Sequence, residues 1–191
     1  MRLAVVDATG RPAPNVVVVA PDVAFERPEH AVFIDQRNMQ FVPHVIVVPL
    51  GQPVYFPNSD KTRHQVYSFS APNNFELKLY RQHDAPPVSF SSVGVVELGC
   101  NIHDAMKGYI YVTQATSYGV TDEQGLLTLP GPVSLPVNLH IWHPVMGARK
   151  PQSLLLTANA PIQLSEALPE KAKQPSSSLR ERLQQFKQRD D

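Results

Sequence analysis

The residues with the clearest chemical potential lie in one short segment, from Gly99 to Met106. It contains the only cysteine of the 191-residue chain, Cys100, with His103 three residues later and Met106 three after that. A thiolate, an imidazole and a thioether together suit copper better than any other common biological metal. A copper site of the electron-transfer type needs a second histidine, and His64 is the best candidate. The spacing therefore predicts one copper site that joins His64 to the Cys100 segment.

Each of these side chains also has an ordinary explanation. A free cysteine usually behaves as a small buried apolar residue, His103 could be a solvated loop histidine, and Met106 could fill a gap in the core. Copper is favoured because a cysteine, a histidine and a methionine follow one another at intervals of three residues, between two apolar runs. A structural zinc site would leave Met106 without a role, since methionine is a poor zinc ligand. A nucleophile–base pair formed by Cys100 and His103 is a third alternative.

The elements that must position these residues are predicted to be β-strands. Proline occurs 19 times against 9 glycines and mostly falls between short apolar runs, which is typical of turns and edge strands. Residues 64–69 and 137–143 alternate polar and apolar side chains, the period of a half-buried strand. The Cys100 loop lies between apolar runs at 93–98 and 108–112. We therefore predict an all-β fold, with further strands over residues 3–6, 16–19, 31–34, 39–48, 54–56 and 153–157 and a hairpin over 120–129.

Composition and charge exclude several function classes. Hydrophobic residues make up 42% of the chain and charged residues 18%, a balance typical of folded globular proteins. The formal net charge of zero gives no electrostatic case for nucleic acid or an anionic membrane as the main partner. The sequence has no run of the roughly 20 apolar residues that a transmembrane segment needs. It also lacks a phosphate-binding glycine loop and a Gly-x-Ser-x-Gly elbow.

The beginning of the chain leaves its compartment open. The apolar run after the first methionine is too short for a signal peptide, and Asp7 interrupts it. One cysteine cannot form an internal disulfide, so the cysteine count does not report the redox compartment. The residues are compatible with a cytosolic protein or with a mature form whose export signal was replaced by a start methionine.

Residues 31–113 resemble the cupredoxins, the small blue-copper proteins, whose fold is a Greek-key β-sandwich. The matching positions are Phe41, Pro43, Ile46, Val48, Gly51, Val54, Phe56, Asn58, His64 and the Cys100 loop. The short Cys-x2-His-x2-Met loop is most similar to those of amicyanin and pseudoazurin. The longer string from Gly99 to Met106, with the region that follows it, resembles plastocyanin-like proteins often described as methylamine utilisation proteins.

This resemblance implies a role for each candidate residue. His64, Cys100 and His103 would be the equatorial ligands of one copper ion cycling between Cu(I) and Cu(II), and Met106 would be the weak axial ligand. Asn58 would match the family asparagine that ties the first ligand loop to the cysteine loop by hydrogen bonds. The remaining histidines, His30, His44, His83, His140 and His143, are not expected to bind this metal. For His140 and His143 the reason is geometric, because residues three apart on a strand point to opposite faces; Met39 is expected to pack near the core.

The function implied by the resemblance is electron transfer in the periplasm. The partner would be a cytochrome or an oxidoreductase, and the oligomeric state is left open. The alternative is a periplasmic copper chaperone or storage protein, which the presence of only four methionines makes less attractive. No enzyme activity is expected. The His-x-His pairs that multicopper oxidases and copper nitrite reductases use are absent from the sequence, and four protein ligands leave no open position for a substrate.

Two separated pieces, residues 5–18 and 120–129, resemble carboxypeptidase-regulatory-like, transthyretin-type β-sandwich domains. We therefore predict a cupredoxin domain over residues 23–113, inserted into a second sandwich made of residues 1–22 and 114–165. The simpler alternative extends the cupredoxin domain to the start of the chain and makes the later residues a small β appendage.

The last part of the chain differs in composition from the rest. From about residue 165 the sequence becomes polar, and we predict a flexible tail over residues 166–191. Leu179, Leu183 and Phe186 have the spacing of one apolar helical face, so a short amphipathic helix is expected there.

Overall fold

The computed structural model describes residues 1–26, 30–82, 84–103, 105–147 and 150–169. Its only helical element within these residues is a short 3-10 helix, Pro144–Met146, so the predicted all-β fold is confirmed. The strands, in chain order, are β1 Arg2–Val6, β2 Val17–Ala20, β3 Val32–Phe33, β4 Asp35–Arg37, β5 Gln40–Val42, β6 Val45–Pro49, β7 Val54–Tyr55, β8 His64–Ser68, β9 Phe75–Tyr80, β10 Gly94–Gly99, β11 Lys107–Thr113, β12 Ser117–Val120, β13 Leu126–Thr128, β14 Val137–Trp142, β15 Gln152–Leu156 and β16 Ile162–Gln163. Within the described residues, no helix is long and apolar enough to span a membrane.

The sheet that carries the candidate site has five strands in the order β6–β11–β10–β8–β9. β6 and β11 run parallel, and the other neighbours are antiparallel. The short strand pairs β3–β7 and β4–β5 form the layer that faces this sheet. Phe41 of β5 and Phe56, which follows β7, belong to one buried cluster with the sheet residues Val66, Leu98 and Ile110. Burial of this apolar surface is the main force that holds the two layers together.

The remaining strands form a second group. β12, β2, β14 and β15 make a four-stranded sheet, and β13, β1 and β16 make a three-stranded one. A separate core lies between them, with members such as Leu3, Val18, Leu139 and Ile162. The first two strands of the chain therefore pair with strands that begin at residue 117 or later, whereas β3 to β11 pair with one another.

Two strands, β2 and β11, are buried on both faces. In β11, Ile110 and Val112 belong to the core of the five-stranded sheet, while Tyr109 and Tyr111 face a third cluster. β2 likewise divides its valines between the second core and this third cluster, where Trp142 packs against both tyrosine rings. Near-continuous apolar runs are the sequence form of strands buried on both sides.

Several predicted elements differ in detail. The run over residues 39–48 is two strands, because Pro43 lies between them and cannot donate a ladder hydrogen bond. The predicted hairpin over 120–129 is wrong in its pairing. Its turn exists, with Gly125 N donating to Asp122 O at 2.9 Å, but β12 and β13 enter different sheets. The proposed helix near Leu179 lies outside the described residues.

Candidate metal centre

The Cys100 loop connects β10 to β11, two neighbouring antiparallel strands. Gly99, the last residue of β10, lies opposite Lys107, the first of β11, so the loop begins and ends at adjacent positions. Within it, His103 N donates to Cys100 O at 3.4 Å and Met106 N donates to His103 O at 2.8 Å. These successive turns set the spacing of the three candidate side chains. Because both ends of the loop are held by the pairing of β10 with β11, the backbone fixes the positions of these side chains.

His64 reaches the same place from the other side of β10. It opens β8, and the register of Tyr67 opposite Gly99 brings the start of this strand to the base of the Cys100 loop. The His64 side chain is fully buried, and its Nδ1 lies 3.7 Å from Cys100 Sγ. The structure thus brings the two distant parts of the predicted site into contact.

Three predicted residues form one cluster. His64, Cys100 and His103 each have one possible ligand atom within 4.8 Å of those of the other two. The centroids of the two imidazole rings are 5.0 Å apart. His103 Nδ1 is buried and has no hydrogen-bond partner among the residues that the structure describes. A buried polar atom left unpaired is unfavourable unless a ligand satisfies it. One thiol and two imidazoles, with a free ring nitrogen among them, fit a single copper ion.

Met106 is also in this region. Its side chain is 1% exposed, and it belongs to the same apolar cluster as Cys100. A buried thioether beside a thiolate is compatible with an axial contact to copper. The axial role of Met106 remains a prediction.

Asp60 is a site residue that the sequence analysis missed. Its Oδ2 accepts a hydrogen bond from His64 Nε2 at 2.9 Å and another from Met39 N at 2.9 Å, and its Oδ1 accepts one from Asn38 N at 2.7 Å. Burial alone would raise the pKa of Asp60, but the hydrogen bonds from Met39 and His64 outweigh it and hold that pKa below its usual value. The available signal was a carboxylate four residues before a candidate ligand.

Asn58 is buried, and its side chain makes three hydrogen bonds within the described residues. Its Nδ2 donates to Thr62 O at 2.9 Å and to Tyr80 O at 3.2 Å, and its Oδ1 accepts from Asp60 N at 3.0 Å. Among the described residues, the Asn58 side chain therefore braces the His64 loop against itself and against the end of β9. The expected ties between Asn58 and the Cys100 loop stay a prediction.

The other described histidines lie away from this cluster. His44 is exposed, and its Nδ1 donates to Lys107 O at 3.0 Å. His143 is buried just after β14, where its Nδ1 accepts from Val145 N at 3.1 Å; burial lowers the pKa of His143 to about 4. Elsewhere in the described ranges, no group of three histidine, cysteine or acidic residues is close enough to hold a metal. His83 lies outside these ranges.

Met39 is not in the core, contrary to expectation. It occupies the two-residue turn between β4 and β5, where Asn38 and Met39 have φ values of 54° and 58°. Such a turn matches the twist of a hairpin and directs its second residue outward. The Met39 side chain is 56% exposed, and the Met39 backbone N donates to the carboxylate that contacts His64.

The cysteine loop between adjacent strands and the facing histidine thus place one thiol and two imidazoles where they could hold a single copper ion. Solved structures similar to this chain include a copper-containing nitrite reductase from Thermus scotoductus, at 25% identity and a TM-score of 0.42. They also include amicyanin from Paracoccus versutus, at 22% identity and a TM-score of 0.40, and a reduced Cu(I) form of an amicyanin variant, at 19% and 0.40.

These similarities concern about half of the chain. The alignments cover 47%, 53% and 52% of it, respectively, and 24% of the nitrite reductase chain, 100% of amicyanin and 99% of the amicyanin variant. No protein-family model matches the sequence, and no curated protein matches it either.

Proposed function

We propose that this chain is a mononuclear copper protein that transfers single electrons to or from a redox partner. The observation that carries the proposal is the cluster of His64, Cys100 and His103 around the unpaired His103 Nδ1. Copper bound there would supply a one-electron couple between Cu(I) and Cu(II). The chain's contribution is to hold the ligands in one arrangement for both states, which keeps the structural change on electron exchange small.

The proposed ligand atoms are His64 Nδ1, Cys100 Sγ and His103 Nδ1, with the Met106 sulfur as the axial contact. Cys100 and Met106 are 2% and 1% exposed, so the sulfur side of the site is dry. A dry surrounding and fixed ligands are the features through which a protein tunes a reduction potential. Four protein ligands also leave no position for a substrate, which supports a carrier rather than an enzyme.

Electrons would enter and leave through the His103 side of the site. His103 is half-buried, and its neighbour Ile102 is 45% exposed. Met39, at the hairpin turn beside the His64 loop, adds a further exposed apolar side chain. A small apolar contact of this kind suits the transient, low-area interfaces of electron-transfer partners. We propose a cytochrome or an oxidoreductase as the partner and the periplasm as the compartment, as the resemblance to cupredoxins implies.

The strand pairings support an inserted arrangement of two modules. β1 pairs with β13 and β16, and β2 pairs with β12 and β14. We propose that residues 23–113 form the copper-binding module within a second sandwich made of residues 1–22 and 114–165. The tyrosine–tryptophan packing between β11 and β14 would join the two.

Voltammetry of the copper-loaded protein tests the proposed function. An electron carrier gives one reversible one-electron wave per chain and keeps its metal through repeated cycles. A chaperone or storage protein would lose copper to a competing chelator or to a metal-free acceptor during reduction. Loss of the wave as copper is released, with the fold intact, would contradict electron transfer.

A further inference from the structure

We propose that Asp60 is a positioning residue that orients the His64 ring through a hydrogen bond to Nε2 and ties this ligand to the hairpin turn between β4 and β5. The inference rests on the proposed copper function for its role, but its geometry is a property of the chain itself. It concerns a carboxylate that the cupredoxin pattern in the sequence did not single out.

The Asp60 carboxylate accepts hydrogen bonds from donors of two elements. Oδ2 accepts from His64 Nε2 and from Met39 N, each at 2.9 Å, and Oδ1 accepts from Asn38 N at 2.7 Å. Its own backbone N donates to Asn58 Oδ1 at 3.0 Å. The side chain is only 17% exposed, so these contacts are largely shielded from water. A carboxylate held by three donors cannot turn away from His64 without losing several charge-assisted hydrogen bonds.

The contact at His64 decides which ring nitrogen carries the proton. An ionised carboxylate only accepts hydrogen bonds, so His64 Nε2 must be the N–H nitrogen. In the neutral ring, Nδ1 then keeps its lone pair, and Nδ1 is the atom that faces Cys100 Sγ at 3.7 Å. A carboxylate behind a ligating histidine fixes the tautomer and raises the donor strength of the ring. A fixed negative charge there also stabilises Cu(II) more than Cu(I).

The contacts at Asn38 and Met39 link the same carboxylate to the surface. Both residues have positive φ, which is uncommon outside glycine and least expected for a long side chain such as methionine. The hydrogen bonds to Asp60 hold both backbone N–H groups in this turn. The exposed Met39 is therefore separated from the ligand His64 by a single carboxylate.

Asp35 provides a matched control. It lies in β4 of the same hairpin and accepts hydrogen bonds from Ser59 N at 3.2 Å and Ser59 Oγ at 2.8 Å, so it also braces the His64 loop. Its described partners are Ser59 and Arg37, and neither is a proposed ligand. Asp35→Asn and Asp60→Asn thus remove the same charge from the same loop–hairpin contact, but only Asp60→Asn alters the partner of His64.

The first readout uses metal-free protein. NMR of the His64 ring should show an Nε2 proton that is hydrogen-bonded and protected from exchange with water in the wild type and in Asp35→Asn. In Asp60→Ala, where this acceptor is removed, the Nε2 proton should lose both the hydrogen-bonded chemical shift and the protection. An Nε2 proton that exchanges freely in the wild type, or one that is unchanged in Asp60→Ala, would overturn the inference. Circular dichroism of each variant establishes that the β fold is retained.

The second readout uses copper-loaded protein. Asp60→Asn should lower Cu(II) affinity by about 10–100-fold, the usual effect of losing such a partner, and Cu(I) affinity by less. The reduction potential should therefore rise, by about 59 mV for each tenfold change in the affinity ratio. Asp35→Asn should leave the copper affinity and the reduction potential near their wild-type values. Equal shifts in the two variants would contradict the inference, because they would show that Asp60 only supports the His64 loop, as Asp35 does. If the wild type binds no copper, the proposed function fails, while the NMR result still decides the inference.

Discussion

The histidines of this molecule fall into two groups that differ in the hydrogen bonding of their ring nitrogens. At the candidate metal centre, within the part of the chain that the structure describes, His103 Nδ1 is buried without a hydrogen-bond partner and His64 Nδ1 faces the Cys100 sulfur. Between the two strand groups, His143 is also buried, but its Nδ1 accepts a backbone hydrogen bond from Val145. His44, on the neighbouring strand edge, donates to Lys107 O.

The difference shows what separates a ligand from a structural histidine. A buried imidazole with hydrogen-bonded nitrogens contributes to the fold and has no remaining acceptor for a metal. An imidazole whose free nitrogen is held toward a thiol by a strand and a closed loop is prepared for one. Burial alone therefore does not identify a metal site; the unpaired nitrogen does.

Removing a ligand should have the largest effect. His103→Ala deletes the unpaired nitrogen, so copper affinity should fall by more than the roughly 100-fold that loss of an outer-shell partner produces. His44→Ala is the control, because its hydrogen bond goes to the Lys107 carbonyl outside the cluster. Competition titration with a copper chelator measures both variants, and equal affinities for the two would contradict the assignment.

The structural histidine should instead affect the pH dependence of stability. Burial lowers the pKa of His143 to about 4 from a usual value of 6.5, so between these values the unfolded chain binds a proton that the folded chain does not. The free energy of unfolding should therefore decrease as the pH falls from 6.5 towards 4, by up to about 3 kcal/mol from this group. Above pH 6.5 this contribution is constant.

Urea unfolding of metal-free protein at several pH values measures this effect. His143→Gln has no group that titrates in this range, so its stability should fall less steeply than that of the wild type over the same interval. Parallel stability curves for the two proteins between pH 6.5 and 4 would show that His143 does not behave as its burial requires.

The smallest effect is expected at the axial position. Met106→Leu conserves volume, so it should change the free energy of unfolding by less than about 1.5 kcal/mol. It removes a sulfur donor that favours Cu(II), so the reduction potential should rise while copper remains bound. Met146→Leu is the control, since Met146 is buried in the third cluster away from the site. An identical potential in both variants would exclude Met106 as a ligand.

Much of the candidate site could be predicted from local spacing. The Cys-x2-His-x2-Met loop is continuous in sequence, and alternation at residues 64–69 placed His64 on a strand, so both halves of the cluster were identifiable. Asp60 was not, because its role depends on a hairpin from residues 35–42 folding over the His64 loop. That contact joins segments more than twenty residues apart, and no local pattern encodes it.

The fold shows the same division. Alternation and apolar runs predicted most strands, including those buried on both faces. The pairing of β12 with β2 and of β13 with β1 follows from packing of distant elements, so the turn at Gly125 was predicted as a simple hairpin. Met39 was assigned to the core on its side-chain type, whereas the backbone of the two-residue turn directs it to the surface.

The most direct test of the copper assignment is a titration of the metal-free protein with Cu(II), followed by visible absorption. Binding through Cys100 should give an intense thiolate-to-copper charge-transfer band that saturates at one ion per chain. The Cys100→Ser variant, still folded by circular dichroism, should lack the band. A wild-type protein that binds Cu(II) without intense visible absorption, or a band that survives in Cys100→Ser, would contradict the account.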